Sequence, residues 1–308
     1  MAAYLFAGQG GQYIGMGKDL YEAFPESKKI FDQADQVLGF ALSQLCFKGP
    51  LEELTKTQNC QPAVLTMSIA CLEAFRSVPS TKYQVPSYAA GLSLGEYSAL
   101  VAAGALSFED AVYLVRRRGE FMEGEAQKRT GKMASILGLD LGMVRDICQE
   151  TGAEIANINC PGQIVISADA KAIGEAARIA EERGAKRVFL LEVSGAFHSS
   201  FMRQAASKLA GELEKIKINV PGIPIVCNVT AKPTSDPVQI RENLIKQVAG
   251  SVLWQDSMNF ILSGGIMDFI EFGPGKVLKG LLRRIEERAK VTNIEKKTDI
   301  TDLAGNVM

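Results

Sequence analysis

The chemistry-bearing residues of this chain are few and far apart: a serine at 93, an arginine at 118 and the single histidine, at 198. Ser93 lies in Gly91-Leu92-Ser93-Leu94-Gly95, between a short apolar, β-compatible stretch (85–92) and a small-residue, helix-compatible one (96–104). A serine at such a strand-to-helix corner has an unfavourable backbone conformation. The corner closes only where the residues two before and two after lack bulk. It lifts the hydroxyl clear of a sheet and aims the first amides of the new helix at negative charge forming there. A serine hydroxyl is a weak nucleophile until a base takes its proton. His198, in Ser194-Gly195-Ala196-Phe197-His198-Ser199-Ser200, is the one imidazole available for that task.

Arg118 lies at the centre of a helical stripe formed by Ala111, Leu114, Val115 and Met122, whereas Arg116 and Arg117 point away from it, toward solvent. A guanidinium on a core-facing stripe keeps its charge and therefore needs an anion. Two partners are open at this point: an internal acid such as Glu96, or the carboxylate of a substrate bound beside Ser93. Near the start, Gly8-Gln9-Gly10-Gly11-Gln12 follows a first strand but has Tyr13 where a dinucleotide-binding turn needs its third glycine. Either its amides and glutamines face a cleft, or it is an ordinary tight turn.

Positioning these groups falls to an alternation of strands and helices. Strands are expected at 3–7, 85–92, 224–228 and 267–272. Helices are expected at 19–38, 49–54, 61–75 (opened by Pro62), 107–122, 201–216, 237–248, 254–262 and 276–289. Ser107 and Asp110 have the spacing of a capping box. Between 131 and 196 the texture changes to strand, helix, two strands around Cys160-Pro161-Gly162, helix and strand. That βαββαβ order describes a ferredoxin-like unit. The chain therefore reads as a large α/β subdomain, 1–130 and 197–308, with a small subdomain, 131–196, inserted between hinge-like glycines. The tail after Lys290 reads as peripheral.

Composition narrows the classes. Apolar residues make up 47% of the 308, enough for a large core without disulfides or metal, and the net charge is −1. Such a balance speaks against a nucleic-acid binder or a membrane-surface protein. The 6 cysteines include no Cys-x-x-Cys pair and there is one histidine, so no His/Cys metal site is expected. Reduced, buried thiols in a cytoplasmic compartment are the expectation. The first residues read as a strand and not a signal peptide, no apolar run reaches membrane-spanning length, and an organellar origin stays open if a transit peptide has been removed.

Taken together, Gly8-Gln9-Gly10-Gly11-Gln12, Gly91-Leu92-Ser93-Leu94-Gly95-Glu96-Tyr97, Arg118-Gly119, Gly195-Ala196-Phe197-His198 and Phe272-Gly273-Pro274-Gly275-Lys276 resemble, in order and spacing, the malonyl-CoA:acyl carrier protein transacylases. The resemblance runs from the first strand to about Arg284. It implies a hydrolase-like α/β core with a parallel sheet and a nucleophile elbow. It also implies a two-step transfer: Ser93 takes the malonyl group from malonyl-CoA, and the phosphopantetheine thiol of acyl carrier protein then removes it. On that resemblance His198 is the general base, Arg118 grips the malonyl carboxylate, and the backbone amides of Gln9 and Leu94 form the oxyanion hole. The main-chain carbonyl of Gln247 orients the histidine, and Met122 and Phe197 wall the pocket. Phe197 beside the base leaves little room for an α-methyl branch, so malonyl is expected over methylmalonyl. No permanently bound cofactor and no metal is implied, and a monomer is expected. Many members have histidine before the nucleophile, where this chain has Leu92.

Three other readings compete. A serine hydrolase shares the elbow but calls for a carboxylate partner to His198 and has no need of a buried arginine. A non-enzymatic scaffold that binds carrier protein would form no acyl-serine. Within the family, a stand-alone acyltransferase for polyketide or polyunsaturated lipid synthesis would have the same site as one supplying extender units for fatty-acid synthesis. Arg116, Arg117, Lys128 and Arg129 either meet an acidic carrier protein or form a solvated face.

Overall fold

The computed structural model describes residues 1–79 and 85–305. Strand β1 (Ala2–Phe6) has no alternation of polar and apolar residues because four of its five residues are buried, as in a parallel strand covered on both faces. Helices α1 (Lys18–Ala23), α2 (Pro25–Leu38), α3 (Leu42–Lys48), α4 (Leu51–Thr55) and α5 (Thr57–Ser77) follow it. Next come β2 (Tyr88–Gly91), α6 (Gly95–Ala102) and α7 (Phe108–Lys128). A second group comprises β3 (Gly131–Leu137), α8 (Leu141–Thr151), β4 (Glu154–Cys160), β5 (Gln163–Asp169), α9 (Ala170–Glu182) and β6 (Arg187–Leu190). The chain continues through α10 (Arg203–Leu213), β7 (Ile225–Val226), β8 (Pro233–Thr234), α11 (Pro237–Ala249) and α12 (Trp254–Ser263). It ends with β9 (Asp268–Phe272), α13 (Val277–Ile285), β10 (Lys290–Ile294) and α14 (Lys297–Gly305).

Two sheets result. The larger has the order β10-β9-β1-β2-β7-β8, parallel except for the β7–β8 pair. Phe6 is in register with both Gly91 and Phe272. The loop at 8–12, the corner at 92–94 and the turn at 273–275 therefore all leave the sheet at its carboxyl edge, where open α/β sheets form their ligand crevices. The smaller sheet is antiparallel with order β4-β5-β3-β6, the ferredoxin-like arrangement expected of the inserted unit. It is tied to the rest through β4: Ile158 N donates to Val252 O at 2.9 Å, and Val252 N to Ala156 O at 2.8 Å. The chain thus has an α/β fold with a parallel sheet and an inserted small sheet.

Several local expectations are corrected. The helix expected over 19–38 is two helices, because Pro25 holds Phe24 in an extended conformation between them. Helix α3 was not expected. Pro62 does not open its helix but lies inside α5, more than a turn after Thr57. The Gln58 carbonyl, which Pro62 cannot serve, accepts from Arg116 Nη1 at 3.1 Å. Arg116 is therefore not a solvent-facing charge; it also pairs with Glu120. Arg117 pairs with Glu120 and Glu212 and lies over the Phe121 ring. The tail is not peripheral: β10 extends the large sheet, Ile294 and Ile300 are fully buried, and only 306–308 lie outside the described residues. No helix among the described residues is long and apolar enough to cross a membrane.

Candidate active site

Ser93 occupies the corner between β2 and α6 with φ of 52°, the left-handed region that costs a side-chain-bearing residue of order 1–3 kcal/mol. The neighbouring glycines make the corner possible. A Cβ on Gly91 would collide with the backbone of Gly95, and one on Gly95 with the Phe6 carbonyl. Asn228, just past β7, clamps the turn from the other side. Its Oδ1 accepts from Ser93 N at 2.6 Å, and its Nδ2 donates to Gly91 O at 2.8 Å.

His198 reaches this corner from the point where the inserted unit returns to the large sheet. It too has a left-handed backbone, φ 56°. Its Nδ1 donates to the main-chain carbonyl of Gln247 at 2.8 Å, which leaves Nε2 as the lone-pair nitrogen, 2.7 Å from Ser93 Oγ. Gln247 lies in the last turn of α11, where main-chain carbonyls have no partner within the helix, so the acceptor comes from the helix end. Burial, and then the charge of Arg118, lower the imidazole from its ordinary 6.5 to about 4. At neutral pH it is uncharged and ready to take a proton.

Arg118 projects from α7, whose start is capped by Ser107 Oγ accepting from Asp110 N at 3.0 Å. It is 1% exposed. Its Nη1 donates to Gln61 Oε1 at 2.8 Å, and its Nη2 to Ser93 Oγ and Gln247 Oε1, both at 3.0 Å. Nε has no acceptor among the described residues. Every bonded partner is neutral. Glu96, the internal acid weighed against a ligand, instead accepts from Asn228 N at 3.1 Å and Gln247 Nε2 at 2.8 Å. Burial holds its carboxyl up at about 7. The hydrolase reading fares no better, since a main-chain carbonyl and not a carboxylate orients His198.

A cavity of about 330 Å³ opens onto these groups. Gln9, Leu94, Met122 and Phe197 line it, as does Leu92. The loop at 8–12 therefore faces a cleft and is no ordinary surface turn. Among the described residues the Gln9 and Leu94 amides donate to no protein acceptor, which leaves both free for a ligand oxygen. Met122 Sδ receives Gln61 Nε2 at 3.5 Å. The expected site residues thus converge, while Gln61, Asn228 and the true bonding of Glu96 went unrecognised. Gln61 carried one signal: a polar side chain amid the apolar run of α5. No group of three or more potential metal ligands occurs among the described residues.

The chain matches the family model "Acyl transferase domain" over residues 3–300. It is 50% identical over 293 residues to the malonyl CoA-acyl carrier protein transacylase of Bacillus subtilis, covering 94% of this chain and 91% of that protein. The Escherichia coli K12 protein of the same name is 41% identical, with 92% of each chain covered. Among solved structures, the acyl-carrier-protein-S-malonyltransferase from Bartonella henselae superposes with TM-score 0.93 at 39% identity over 99% of both chains. A malonyl-transacylase in complex with its type II PKS acyl-carrier protein superposes with TM-score 0.94 at 38% identity, again over 99% of both chains. With a family model spanning nearly its whole length and relatives this similar over nearly all of theirs, the chain belongs to the malonyl CoA-acyl carrier protein transacylases, a family of acyltransferases with the acyl transferase domain.

Proposed function

We propose that this protein transfers the malonyl group of malonyl-CoA to the phosphopantetheine thiol of acyl carrier protein through a malonyl-Ser93 intermediate. One observation carries the reading: Ser93 Oγ lies 2.7 Å from His198 Nε2 and 3.0 Å from Arg118 Nη2, so one oxygen is served by a base and bordered by a buried cation. Ser93 attacks the thioester carbonyl while His198 Nε2 takes the hydroxyl proton. The carbonyl oxygen becomes an oxyanion within reach of the Gln9 and Leu94 amides, each worth roughly a hundredfold in rate. Collapse breaks the C–S bond, and the imidazolium protonates the departing CoA thiolate. The second half runs in reverse: His198 deprotonates the carrier's thiol, that sulfur attacks the malonyl ester, and Ser93 recovers its proton. Gln247 O holds the imidazolium in place throughout.

Arg118 selects the acyl group. Its unpaired Nε and its neutral partners leave its charge for a substrate carboxylate, whereas an acetyl group would leave a buried cation without an anion. Met122 and Phe197 serve as pocket wall, and the segment 131–196 serves as a small subdomain that closes one side of the cleft over 1–130 and 197–308. Fatty-acid synthesis is the pathway this transfer would feed. Resemblance to the type II PKS transacylase makes a polyketide carrier the second candidate acceptor.

The test is intact mass after mixing with malonyl-, methylmalonyl- or acetyl-CoA, followed by holo acyl carrier protein. The expected result is one malonyl adduct, absent from Ser93→Ala and discharged by the carrier. Methylmalonyl and acetyl adducts should be minor. A protein that takes up no acyl group refutes the reading.

A further inference from the structure

Arg118 poses a problem that its neighbours solve indirectly. A fully buried guanidinium calls for a counter-charge. A carboxylate bonded to it would occupy the donors that a substrate needs. The nearest acid, Glu96, is 1% exposed and stands in the first turn of α6, where the helix N-terminus favours negative charge. Between them lies the side-chain amide of Gln247, with Nε2 donating to Glu96 Oε2 at 2.8 Å and to Ser93 O at 2.9 Å, and Oε1 accepting from Arg118 Nη2 at 3.0 Å. Only this orientation of the amide matches a donor to each acceptor. Turned over, it would set its NH2 against the guanidinium and its carbonyl against the carboxylate. The main-chain N–H of Asn228, donating to the same Glu96 oxygen at 3.1 Å, fixes the acid in turn.

We propose that Glu96 is a positioning residue for acyl selection: with the Ser93 carbonyl it orients the Gln247 amide, which holds the Arg118 guanidinium toward Ser93 while leaving its charge uncommitted to any carboxylate. The inference rests on the malonyl-transfer reading above. The carboxylate acts through a neutral amide, so the cation is anchored without being neutralised. The His198 imidazole is held by the main chain of the same residue, in helix α11, and does not depend on that amide's orientation.

Two variants separate orientation from mere packing. Glu96→Met fills a similar volume without an acceptor. Glu96→Gln keeps an acceptor oxygen for both Asn228 N and Gln247 Nε2. Each is compared with the unaltered protein in acyl loading of Ser93 from malonyl-CoA and from concentrated acetyl-CoA. The expected result is a fall of about tenfold or more in malonyl kcat/KM for Glu96→Met, with acetyl loading changed less than about threefold. Glu96→Gln should keep malonyl kcat/KM within about threefold of the unaltered protein. Should Glu96→Met not fold, Glu96→Asp, which withdraws the acceptor from Gln247, stands in for it with the same expected split. Equal losses for malonyl and acetyl, no loss in Glu96→Met, or a Glu96→Gln as impaired as Glu96→Met would overturn the proposal. Failure of the unaltered protein to load malonyl would overturn the transfer reading itself, and this inference with it.

Discussion

Two titrating side chains meet in the site with opposite displacements, and each has a pH signature. His198 is lowered to about 4 by burial and by the charge of Arg118. Its base form therefore persists well below 6.5. The rate of malonyl loading in single-turnover measurements should stay flat on descending through pH 6 and fall off only near pH 4 to 5. An acid limb at 6.5 would contradict the buried geometry. Glu96 is displaced upward to about 7, chiefly by burial. Its folded-state pKa exceeds its unfolded one, so its contribution to stability is complete below 4.5 and is lost as pH rises through 7. Glu96→Gln removes that titration. Its melting temperature relative to the unaltered protein should therefore rise between pH 5 and pH 8, and an offset constant with pH would refute the assignment. Arg118→Ala gives the complementary test. Malonyl loading should drop by on the order of a hundredfold or more, because the carboxylate enters a buried site without its cation, while acetyl loading should be much less affected. A parallel loss for both acyl groups would point to collapse of the site.

The site depends on helices approaching more closely than side chains normally permit. Gly119 on α7 faces α5, and a Cβ there would lie 2.7 Å from Gln58 Cα and 2.8 Å from Thr57 O. That approach brings Gln61 within reach of Arg118 on α7. Gly119→Ala should force the pair apart, costing about 1–3 kcal/mol in urea denaturation and raising KM for malonyl-CoA. Unchanged stability and KM would show that α5 yields without consequence. What the sequence made legible at this scale follows the same physics. The elbow was readable because Gly91, Ser93 and Gly95 carry their own geometric necessity, and α7 because Ser107 caps it and an apolar stripe runs along it. The break at Pro25 and the start of α5 at Thr57 were missed. A proline marks a place where an amide is absent, without saying whether a neighbour such as Arg116 will serve the carbonyl it leaves over. Asn228 was invisible as a clamp because its role depends on β7 lying beside β2, a pairing that sequence pattern does not supply.

Across the whole molecule, the first strand and the last two lie side by side in the large sheet, beside the part of the cleft that Gln9 lines. The turn Gly273-Pro274-Gly275 leaves β9 at the same edge as the loop at 8–12. Strand β10 and its continuation hold that turn: Asn293 Nδ2 donates to Gly275 O at 3.0 Å, and Glu295 Oε1 accepts from Gly275 N at 3.0 Å. The turn in turn braces the loop, since a Cβ on Gly11 would strike the Pro274 carbonyl. A C-terminal segment that reads as a polar tail is thus linked, through that turn, to the loop that carries Gln9. Gly11→Ala should lift that loop off the turn and displace the amide while sparing Ser93, His198 and Arg118, which are anchored elsewhere. On the proposed role of the Gln9 amide as an oxyanion donor, its displacement weakens the transition state and leaves ground-state binding in place. The expected outcome is a fall in the kcat of malonyl loading of about tenfold to a hundredfold with KM nearly unchanged. A change confined to KM would place the loop in binding the acyl-CoA and remove Gln9 from the chemistry.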